Sequence, residues 1–198
     1  SQFAGTQPKI IAITGASGLL ASSLIPFLTT GGHTVRRVTR KGDRLDASAI
    51  DGADVVVHLA GAGVADERWS PERKKLLVDS RIAYTRQLID AIAKAKRRPS
   101  VLVSGSAIGI YGDRGDEVLT ETSAVGARSE HGAAFLAGLC TDWEHEARAA
   151  EALGLRVALM RIGVVMTANG GALAKLLPPF SAGAGGPTGP GTQWMSWI

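Results

Sequence analysis

The sequence has very few cysteine and aromatic residues. Its 198 residues include one cysteine, Cys140, and only 5% are aromatic, two of them tyrosines. A single cysteine excludes an internal disulfide bond and is typical of a reducing compartment. No apolar run approaches the roughly 18 residues needed to span a bilayer, and the first six residues lack the basic start and apolar core of a signal peptide. We therefore expect a cytoplasmic protein without a membrane partner.

The composition is that of a globular domain. Hydrophobic residues make up 45% and charged residues 20%, which excludes a disordered chain. Glycine is abundant, 25 of 198 residues, but shows no three-residue period, which excludes collagen. The net charge is +4, yet the basic residues are scattered and have no aromatic residues interleaved, so we expect no nucleic-acid partner. His33 and His58 lack the spacing of metal ligands, so we expect no metal.

Apolar runs and helical stretches alternate along the chain. The apolar runs predict strands over residues 9–14, 34–39, 54–60, 101–106 and 156–162. The stretches between them predict a helix that follows residues 15–21 and stops at Gly31, and further helices over residues 70–96, 133–153 and 171–177, the last stopped by Pro178 and Pro179. Such alternation predicts an α/β protein with a doubly wound parallel sheet, the Rossmann class.

Two stretches suggest that this Rossmann domain, residues 1–198, is incomplete. Only about 15 residues separate the strand ending near Thr39 from the strand starting at Asp54, and a standard crossover with a further strand and helix needs more. The unit is either trimmed or lacks a segment there. The other stretch is the apolar end, 193–198, which holds two tryptophans. We expect the natural chain to continue past Ile198 and the C-terminal substrate side to be largely absent.

A glycine-rich turn follows the first predicted strand. In Gly15-x-x-Gly18-x-x-Ala21 the first glycine permits a tight turn, the second allows close approach of a pyrophosphate, and the small third residue permits helix–strand packing. The following helix offers free N–H groups and a positive partial charge to a phosphate. The pattern predicts a dinucleotide-binding site, although helix–strand turns also use glycine for structural reasons alone.

The end of the second predicted strand selects the cofactor. An acidic residue there would bind the ribose hydroxyls of NAD, but this chain has Thr39-Arg40-Lys41. A hydroxyl and two cations suit the 2′-phosphate of NADP, so NADP is predicted. An exposed basic turn is the other interpretation, and Asp43 could still reach back to bind NAD.

Several motifs resemble those of one protein family. Thr14-Gly15-Ala-Ser-Gly18, His58-Leu-Ala-Gly61 and Ser104-Gly-Ser106 followed by Tyr111-Gly112-Asp113 resemble an extended short-chain dehydrogenase/reductase. Further stretches resemble an atypical branch of nucleoside-diphosphate-sugar epimerases: Arg68-Trp69, Asp79-Ser80-Arg81, Phe135-Leu136, Trp143-Glu144 and Gly170-Gly-Ala-Leu-x-Lys175. The resemblance covers nearly the whole chain. It implies a Rossmann fold, a nicotinamide cofactor and a small-molecule substrate such as a sugar nucleotide; it does not indicate an oligomeric state.

The resemblance implies a set of cofactor contacts. Leu59 and Ala60 would line the adenine-ribose side, Val164 and Val165 would lie by the nicotinamide, and Arg81 would point at the cofactor. Ordinary strand core, or a surface salt bridge for Arg81, is the alternative. Together with the glycine turn and the basic strand end, the predicted cofactor contacts are Gly15, Ser17, Gly18, Leu19, Leu20, Thr39, Arg40, Leu59, Ala60, Gly61, Arg81 and Val165.

The catalytic pair of the resembling family is missing. Its members use a tyrosine and, four positions later, a lysine that lowers the pKa of that tyrosine. Aligned on Trp143-Glu144, these positions hold Leu136 and Cys140. Ser106 matches the serine that binds the substrate oxygen, and Tyr111 is the candidate proton donor, although tyrosine in such a turn more often packs structurally.

Two functions are consistent with the sequence. The first is an NADP-dependent epimerase or reductase that transfers hydride at a carbinol or carbonyl carbon, with Ser106 and Tyr111 as catalytic residues. The second is a non-catalytic NADP-binding sensor or regulatory module, favoured by the loss of the tyrosine–lysine pair. The carboxylates of the loop after Tyr111 and the thiol of Cys140 are weaker candidates for chemistry, because a solvated turn and a buried cysteine are usually inert.

Overall fold

The computed structural model describes residues 7–42, 44–187 and 189–198. The chain forms two compact units. Unit 1 comprises Ser1–Gly105 and Asp142–Met160, and unit 2 comprises Ser106–Thr141 and Arg161–Ile198. Within the described ranges, no helix is both long enough and apolar enough to cross a membrane.

Strands and helices alternate from the start of the described chain. The strands are β1 (Ile10–Thr14), β2 (Thr34–Arg37), β3 (Arg40–Lys41), β4 (Arg44–Leu45), β5 (Val55–His58), β6 (Val101–Ala107), β7 (Arg156–Ile162) and β8 (Met166–Thr167). The helices are α1 (Leu19–Thr30), α2 (Pro71–Asp79), α3 (Ile82–Lys94), α4 (Gly132–Arg148) and α5 (Gly171–Ser181). Short 3₁₀ turns cover residues 47–49, 108–111 and 149–153.

Five strands form one sheet in the order β2-β1-β5-β6-β7. The pairs β1–β2, β1–β5 and β5–β6 are parallel, and Ile11 of β1 lies opposite Val35 and Val55. The predicted Rossmann-type parallel sheet is therefore confirmed. Because these strands are parallel, the carboxyl ends of β1, β2 and β5 lie at the same edge of the sheet. The strand order reverses at β1, and a ligand crevice is expected at such a point.

The sheet has a core on each of its faces. Ala12 of β1 packs with Leu88 and Ile92 of α3, whereas Ile11 and Ile13 pack with Ala21 of α1 on the opposite face. The alternation follows from the two-residue period of a strand. Both faces of β1 are buried, which explains its continuous apolar run.

The prediction of one long helix over residues 70–96 is wrong. The structure has two helices there, α2 and α3, separated by Ser80 and Arg81. The hydroxyl of Ser80 donates to the carbonyl of Leu77 at 3.1 Å, and the guanidinium of Arg81 donates to the same carbonyl at 3.3 Å. Ser80 also accepts the amide N–H of Ala62 at 3.1 Å. The break turns both side chains toward the segment that follows β5. The predicted start of α2 is confirmed, because Ser70 caps it by accepting the N–H of Arg73 at 3.1 Å.

The predicted stop at Pro178 and Pro179 is also wrong. Helix α5 includes both prolines and ends at Ser181. The carbonyls of Pro178 and Pro179 accept the N–H groups of Ala182 and Ala184 at 3.0 and 2.9 Å. Proline removes a donor but keeps its carbonyl, so these carbonyls complete the last turn.

The short connection between β2 and β5 contains no helix longer than one turn in its described residues. The antiparallel pair β3–β4 places Arg40 opposite Leu45, and the carboxylate of Asp46 accepts the N–H of Ser48 at 3.1 Å at the start of the 3₁₀ turn. Asp43, the residue that could favour NAD, lies outside the described residues. The predicted trimming or loss of a segment here stays a prediction.

Within unit 2, the apolar segment at 193–198 pairs alongside residues 164–166. The N–H of Val164 donates to Ser196 at 2.9 Å, and that of Ile198 donates to Val164 at 3.1 Å. The pairing explains the strand-like pattern of this segment. Trp194 and Trp197 nevertheless expose 78% and 67% of their surface.

Candidate functional site

A cleft of about 480 Å³ opens in unit 1 at the carboxyl ends of β1, β2 and β5. Its volume lies in the range of ligand sites in proteins. Six of the predicted cofactor contacts line it: Gly15, Ser17, Thr39, Arg40, Ala60 and Gly61. The other lining residues are Ala16, Arg37, Val38, Ala62, Ser80 and Tyr84. The structure therefore brings together the glycine turn and the basic end of β2, which lie more than twenty residues apart in the sequence.

The turn between β1 and α1 requires glycine at position 15. Gly15 has φ +67°, and a Cβ there would lie 2.7 Å from the amide nitrogen of Ala60. Its carbonyl accepts the N–H of Gly18 at 2.9 Å, and Gly18 is the N-cap of α1. The turn therefore packs directly on the segment after β5 and presents the N-terminus of α1, which suits an anion.

A buried hydrogen-bond chain joins β1, β5 and α3 beneath the cleft. Thr85 donates its hydroxyl proton to the carbonyl of Arg81 at 2.5 Å, so its oxygen must accept from Nε2 of His58 at 2.9 Å. Nδ1 of His58 is then the acceptor for the hydroxyl of Thr14 at 2.7 Å. The oxygen of Thr14 in turn accepts the N–H groups of Leu59 and Ala60 at 3.2 and 3.3 Å. These hydrogen bonds thus fix His58 as the Nε2–H tautomer.

The environment of His58 keeps its imidazole neutral. The residue is fully buried, and this burial, with a smaller contribution from the positive charge of Arg81, lowers its pKa to about 4. The hydrogen bonds of His58 require a neutral ring, because a proton on Nδ1 would prevent this nitrogen from accepting the hydroxyl proton of Thr14. His58 therefore positions the glycine turn against the segment after β5.

Arg81 is not among the residues that line the cleft, but it contacts two that are, Gly61 and Ala62. Its predicted role at the cofactor stays a prediction. Its guanidinium donates to the carbonyl of Ala62 at 2.9 Å and stacks over the indole of Trp143, 5.2 Å from the ring centroid. A Cβ at Gly61 would lie 3.2 Å from the guanidinium carbon, so the small residue lets Arg81 approach the backbone. Arg81 is buried, which differs from the exposed residue that a surface salt bridge requires.

The basic side of the cleft consists of Arg37, Thr39 and Arg40, which are all exposed. The guanidinium carbon of Arg40 lies 5.2 Å above the ring centroid of Tyr84. Two arginines and a hydroxyl around one opening form a site suited to a phosphate group.

The remaining predicted contacts lie outside the lining of the cleft. Gly18, Leu19 and Leu20 begin α1, and Leu59 packs against the core on the α1 face of the sheet. Val164 and Val165 belong to unit 2, where Val164 forms an isolated bridge to Trp197. The predicted roles of these residues at the cofactor stay predictions.

Six lining residues were not predicted from the sequence, and three of them have a charged or hydroxyl side chain: Arg37, Ser80 and Tyr84. Arg37 is the last residue of β2. Its place at the same strand end as Thr39 and Arg40 could therefore have been predicted from the strand pattern. Ser80 and Tyr84 were placed on one long helix, and only the break at Ser80 and Arg81 brings them to the cleft. No local pattern marks that break, because Ser80 and Arg81 are hydrogen-bonded to Ala62, which lies 18 and 19 residues earlier in the sequence.

In unit 2, Tyr111 is held by its own hydroxyl. It donates to the carbonyl of Thr120 at 2.9 Å and accepts from Arg161 at 2.9 Å, and Arg161 also donates to the carbonyl of Glu121 at 3.0 Å. The phenol thus donates to the loop that follows it and accepts from Arg161 of β7. This geometry matches the structural alternative for tyrosine in such a turn, and proton donation by Tyr111 stays a prediction.

The positions of the missing catalytic pair lie on α4 of unit 2. Cys140 is buried against Ile110 and Tyr111, and Leu136 packs close to Gly109, where a Cβ would lie 3.3 Å from that of Leu136. Ser106 is buried at the carboxyl end of β6. Among the described residues, no group of three or more histidine, cysteine or acidic side chains could hold a metal ion.

Comparison with known proteins places the chain in a family. Residues 11–198 match the NAD dependent epimerase/dehydratase family. An epimerase family protein of Mycobacterium bovis is 39% identical over 202 residues, which cover 96% of this chain and 64% of the relative. The chain therefore spans less than two thirds of the length of this relative.

The fold is shared with two solved structures whose sequences are 39% and 29% identical to this chain. The nucleoside-diphosphate sugar epimerase of Corynebacterium glutamicum is 39% identical with a TM-score of 0.81, over 97% of this chain and 41% of that one. Human epimerase family protein SDR39U1, solved with NADPH, is 29% identical with a TM-score of 0.80, over 95% of this chain and 65% of that one. From the family match and these likenesses, the chain belongs to the NAD-dependent epimerase/dehydratase family.

Proposed function

We propose that the cleft of unit 1 binds NADP(H) and that the protein is an NADP-dependent epimerase or oxidoreductase of the epimerase family. The observation that carries the proposal is the pairing of the glycine turn with Arg37 and Arg40 in one cleft. The human relative was solved with NADPH, which supports the same cofactor here. A cytoplasmic location, expected from the single cysteine, belongs to this proposal.

The residues present fit a dinucleotide. The N-terminus of α1 and the turn at Gly15 suit the pyrophosphate, and the opening beside Ala60 and Gly61 suits the adenosine. Thr39 and Arg40, with Arg37 beside them, offer a hydroxyl and two cations to a 2′-phosphate. In the described residues no acidic side chain lines this end of the cleft, which favours NADP over NAD because a carboxylate would repel the extra phosphate.

A bound nicotinamide cofactor supplies and accepts hydride at a carbinol or carbonyl carbon. The part of this chain is to hold the cofactor at the cleft and to orient the substrate oxygen, for which Ser106 at the end of β6 is the candidate donor. For epimerisation, a cofactor held by the glycine turn and Arg40 would supply reversible hydride transfer at the carbinol carbon, and Ser106 would hold the substrate oxygen meanwhile. The proposed substrate is a small molecule of the sugar-nucleotide class, in keeping with the name of the Corynebacterium protein.

One observation favours a second function, a sensor that binds NADP without turnover. Leu136 and Cys140 occupy the positions of the tyrosine–lysine pair, and the hydroxyl of Tyr111 is bonded to Thr120 and Arg161. Neither leucine nor a buried thiol can transfer the proton that the chemistry needs.

A turnover assay separates the two functions. The full-length protein is incubated with NADPH and a panel of carbonyl compounds, and with NADP+ and a panel of sugar nucleotides, because epimerisation at a carbinol carbon begins with hydride transfer to the oxidised cofactor. The absorbance of the reduced nicotinamide is followed, and the products are analysed for epimers. The enzyme predicts turnover on at least one substrate and its loss in Ser106→Ala. Tight NADPH binding without turnover on the whole panel would overturn the enzyme and support the sensor.

The choice of cofactor depends on Arg40. In Arg40→Ala we expect the Kd for NADPH to rise by about 10- to 100-fold, since a charge-assisted hydrogen bond to the phosphate is lost. The Kd for NADH, which lacks that phosphate, should change less than about twofold. Calorimetric titration of both cofactors measures the two effects, and equal losses would show that Arg40 does not read the 2′-phosphate.

The role of Tyr111 is tested by Tyr111→Phe. Loss of the hydroxyl leaves the Thr120 carbonyl and one Arg161 donor without this partner, so we expect the free energy of unfolding to fall by about 1–2 kcal/mol. Turnover, where present, should fall by less than about tenfold. A fall of two orders of magnitude at unchanged NADPH affinity would instead identify Tyr111 as the proton donor.

A further inference from the structure

The aromatic ring of Tyr84 lies directly under the guanidinium of Arg40 at the cleft. The guanidinium carbon is 5.2 Å from the ring centroid, which is within the range of a cation–π contact. Arg40 is on the two-residue strand β3 and exposed, whereas Tyr84 is on α3 and only 5% exposed. A flexible cation therefore rests on a buried ring that belongs to a different element.

The ring of Tyr84 also packs against the buried imidazole of His58. The imidazole of His58 lies 5.7 Å from the Tyr84 ring, at an angle of 40°, and His58 is fixed by Thr14 and Thr85. Burial raises the pKa of the Tyr84 phenol, an effect that the charge of Arg40 opposes. The phenol is therefore neutral at pH 7, and the guanidinium meets the face of an uncharged ring rather than a phenolate.

We propose that Tyr84 is a specificity-determining positioning residue, whose ring holds the guanidinium of Arg40 where it pairs with the 2′-phosphate of NADP(H). The inference rests on the proposed function, since it names the device that makes the cleft prefer NADP. An arginine side chain has several rotatable bonds, and binding a phosphate requires one arrangement of them. A ring that stabilises that arrangement before the ligand arrives reduces the entropy lost on binding.

This role has a signature that mere packing lacks. NADH has no 2′-phosphate, so removal of the ring should weaken NADPH and leave NADH nearly unchanged. A general loss of structure around His58 would weaken both cofactors alike. The ratio of the two dissociation constants therefore separates positioning from stability.

The experiment measures the Kd of NADPH and of NADH for the wild type, Tyr84→Leu, Tyr84→Phe and Arg40→Ala. We expect Tyr84→Leu to reduce the preference for NADPH by about three- to fivefold, the value of an exposed cation–π contact. Tyr84→Phe keeps the ring and should keep the preference. Because the ring also packs on His58, Tyr84→Met is measured in parallel, as its unbranched side chain fills irregular space, and the same reduction is expected.

The double variant Arg40→Ala with Tyr84→Leu tests whether the ring acts through the arginine. Its NADPH preference should equal that of Arg40→Ala alone, because the proposed role of the ring is exerted only through Arg40. An unchanged preference in Tyr84→Leu and Tyr84→Met, beside a lost one in Arg40→Ala, would overturn the inference and leave the proposed function intact. Absence of any NADPH preference in the wild type would contradict the proposed function itself.

Discussion

Acidification from pH 6.5 to pH 4 is expected to reduce the stability of the protein by about 3 kcal/mol through His58 alone. The buried imidazole has a pKa lowered from 6.5 to about 4. Across this interval the unfolded chain binds a proton at this site and the folded chain does not. The stability contributed by neutral His58 is therefore complete above pH 6.5 and is lost as the pH falls to about 4, at roughly 1.4 kcal/mol per pH unit.

Urea unfolding at a series of pH values measures this effect. The matched variant is His58→Leu, which has no titrating group at this position. We expect it to be less stable at pH 7, because Thr14 and Thr85 lose a buried partner, but to show a shallower dependence on pH than the wild type. Parallel profiles for the two proteins would contradict the assignment. In the wild type, ¹⁵N NMR should report the neutral Nε2–H tautomer of His58 at pH 5.5.

Gly15→Ala is expected to destabilise the protein by about 3 kcal/mol or more. The left-handed backbone at φ +67° costs an alanine about 1–2 kcal/mol. Its Cβ would also lie 2.7 Å from the amide nitrogen of Ala60 and 2.8 Å from the carbonyl of Leu59, and relief of such overpacking costs about 1–3 kcal/mol. The turn must shift away from β5, so NADPH binding should be lost as well.

Gly32→Ala is the control for the backbone term. Gly32 follows α1 with φ +85°, and a Cβ there would meet nothing within 4 Å. We expect this variant to lose only about 1–2 kcal/mol and to keep its NADPH affinity. Chemical denaturation and cofactor titration of both variants give the comparison. Equal destabilisation by the two substitutions would show that contact with the segment after β5 does not constrain Gly15.

Much of unit 1 could be predicted from local patterns. The apolar run of β1, the glycine turn after it and the Ser70-Pro71 start of α2 are each specified by a few neighbouring residues, and the structure confirms them. The failures have a tertiary cause. The break at Ser80 and Arg81 depends on hydrogen bonds to Ala62, and helical periodicity across residues 70–96 contains no trace of that distant partner.

The same limit applies to the candidate site. Thr39 and Arg40 could be placed at the cleft because the end of a strand next to a glycine turn is a local position. Tyr84 could not, because it reaches the cleft only through the divided helix and its contact with Arg40. The hydroxyl partners of Tyr111 are likewise nine and fifty residues away in the sequence, beyond the reach of any motif.

We propose that the basic end of the cleft recognises an adenosine 2′-phosphate. This recognition is tested most directly with two fragments that differ only in that phosphate, 2′,5′-ADP and 5′-AMP, titrated against the protein by calorimetry. We predict that 2′,5′-ADP binds at least about tenfold more tightly, since a charge-assisted contact to phosphate is worth about 1.5 kcal/mol or more. Equal affinity for the two fragments, or tighter binding of 5′-AMP, would contradict the claim.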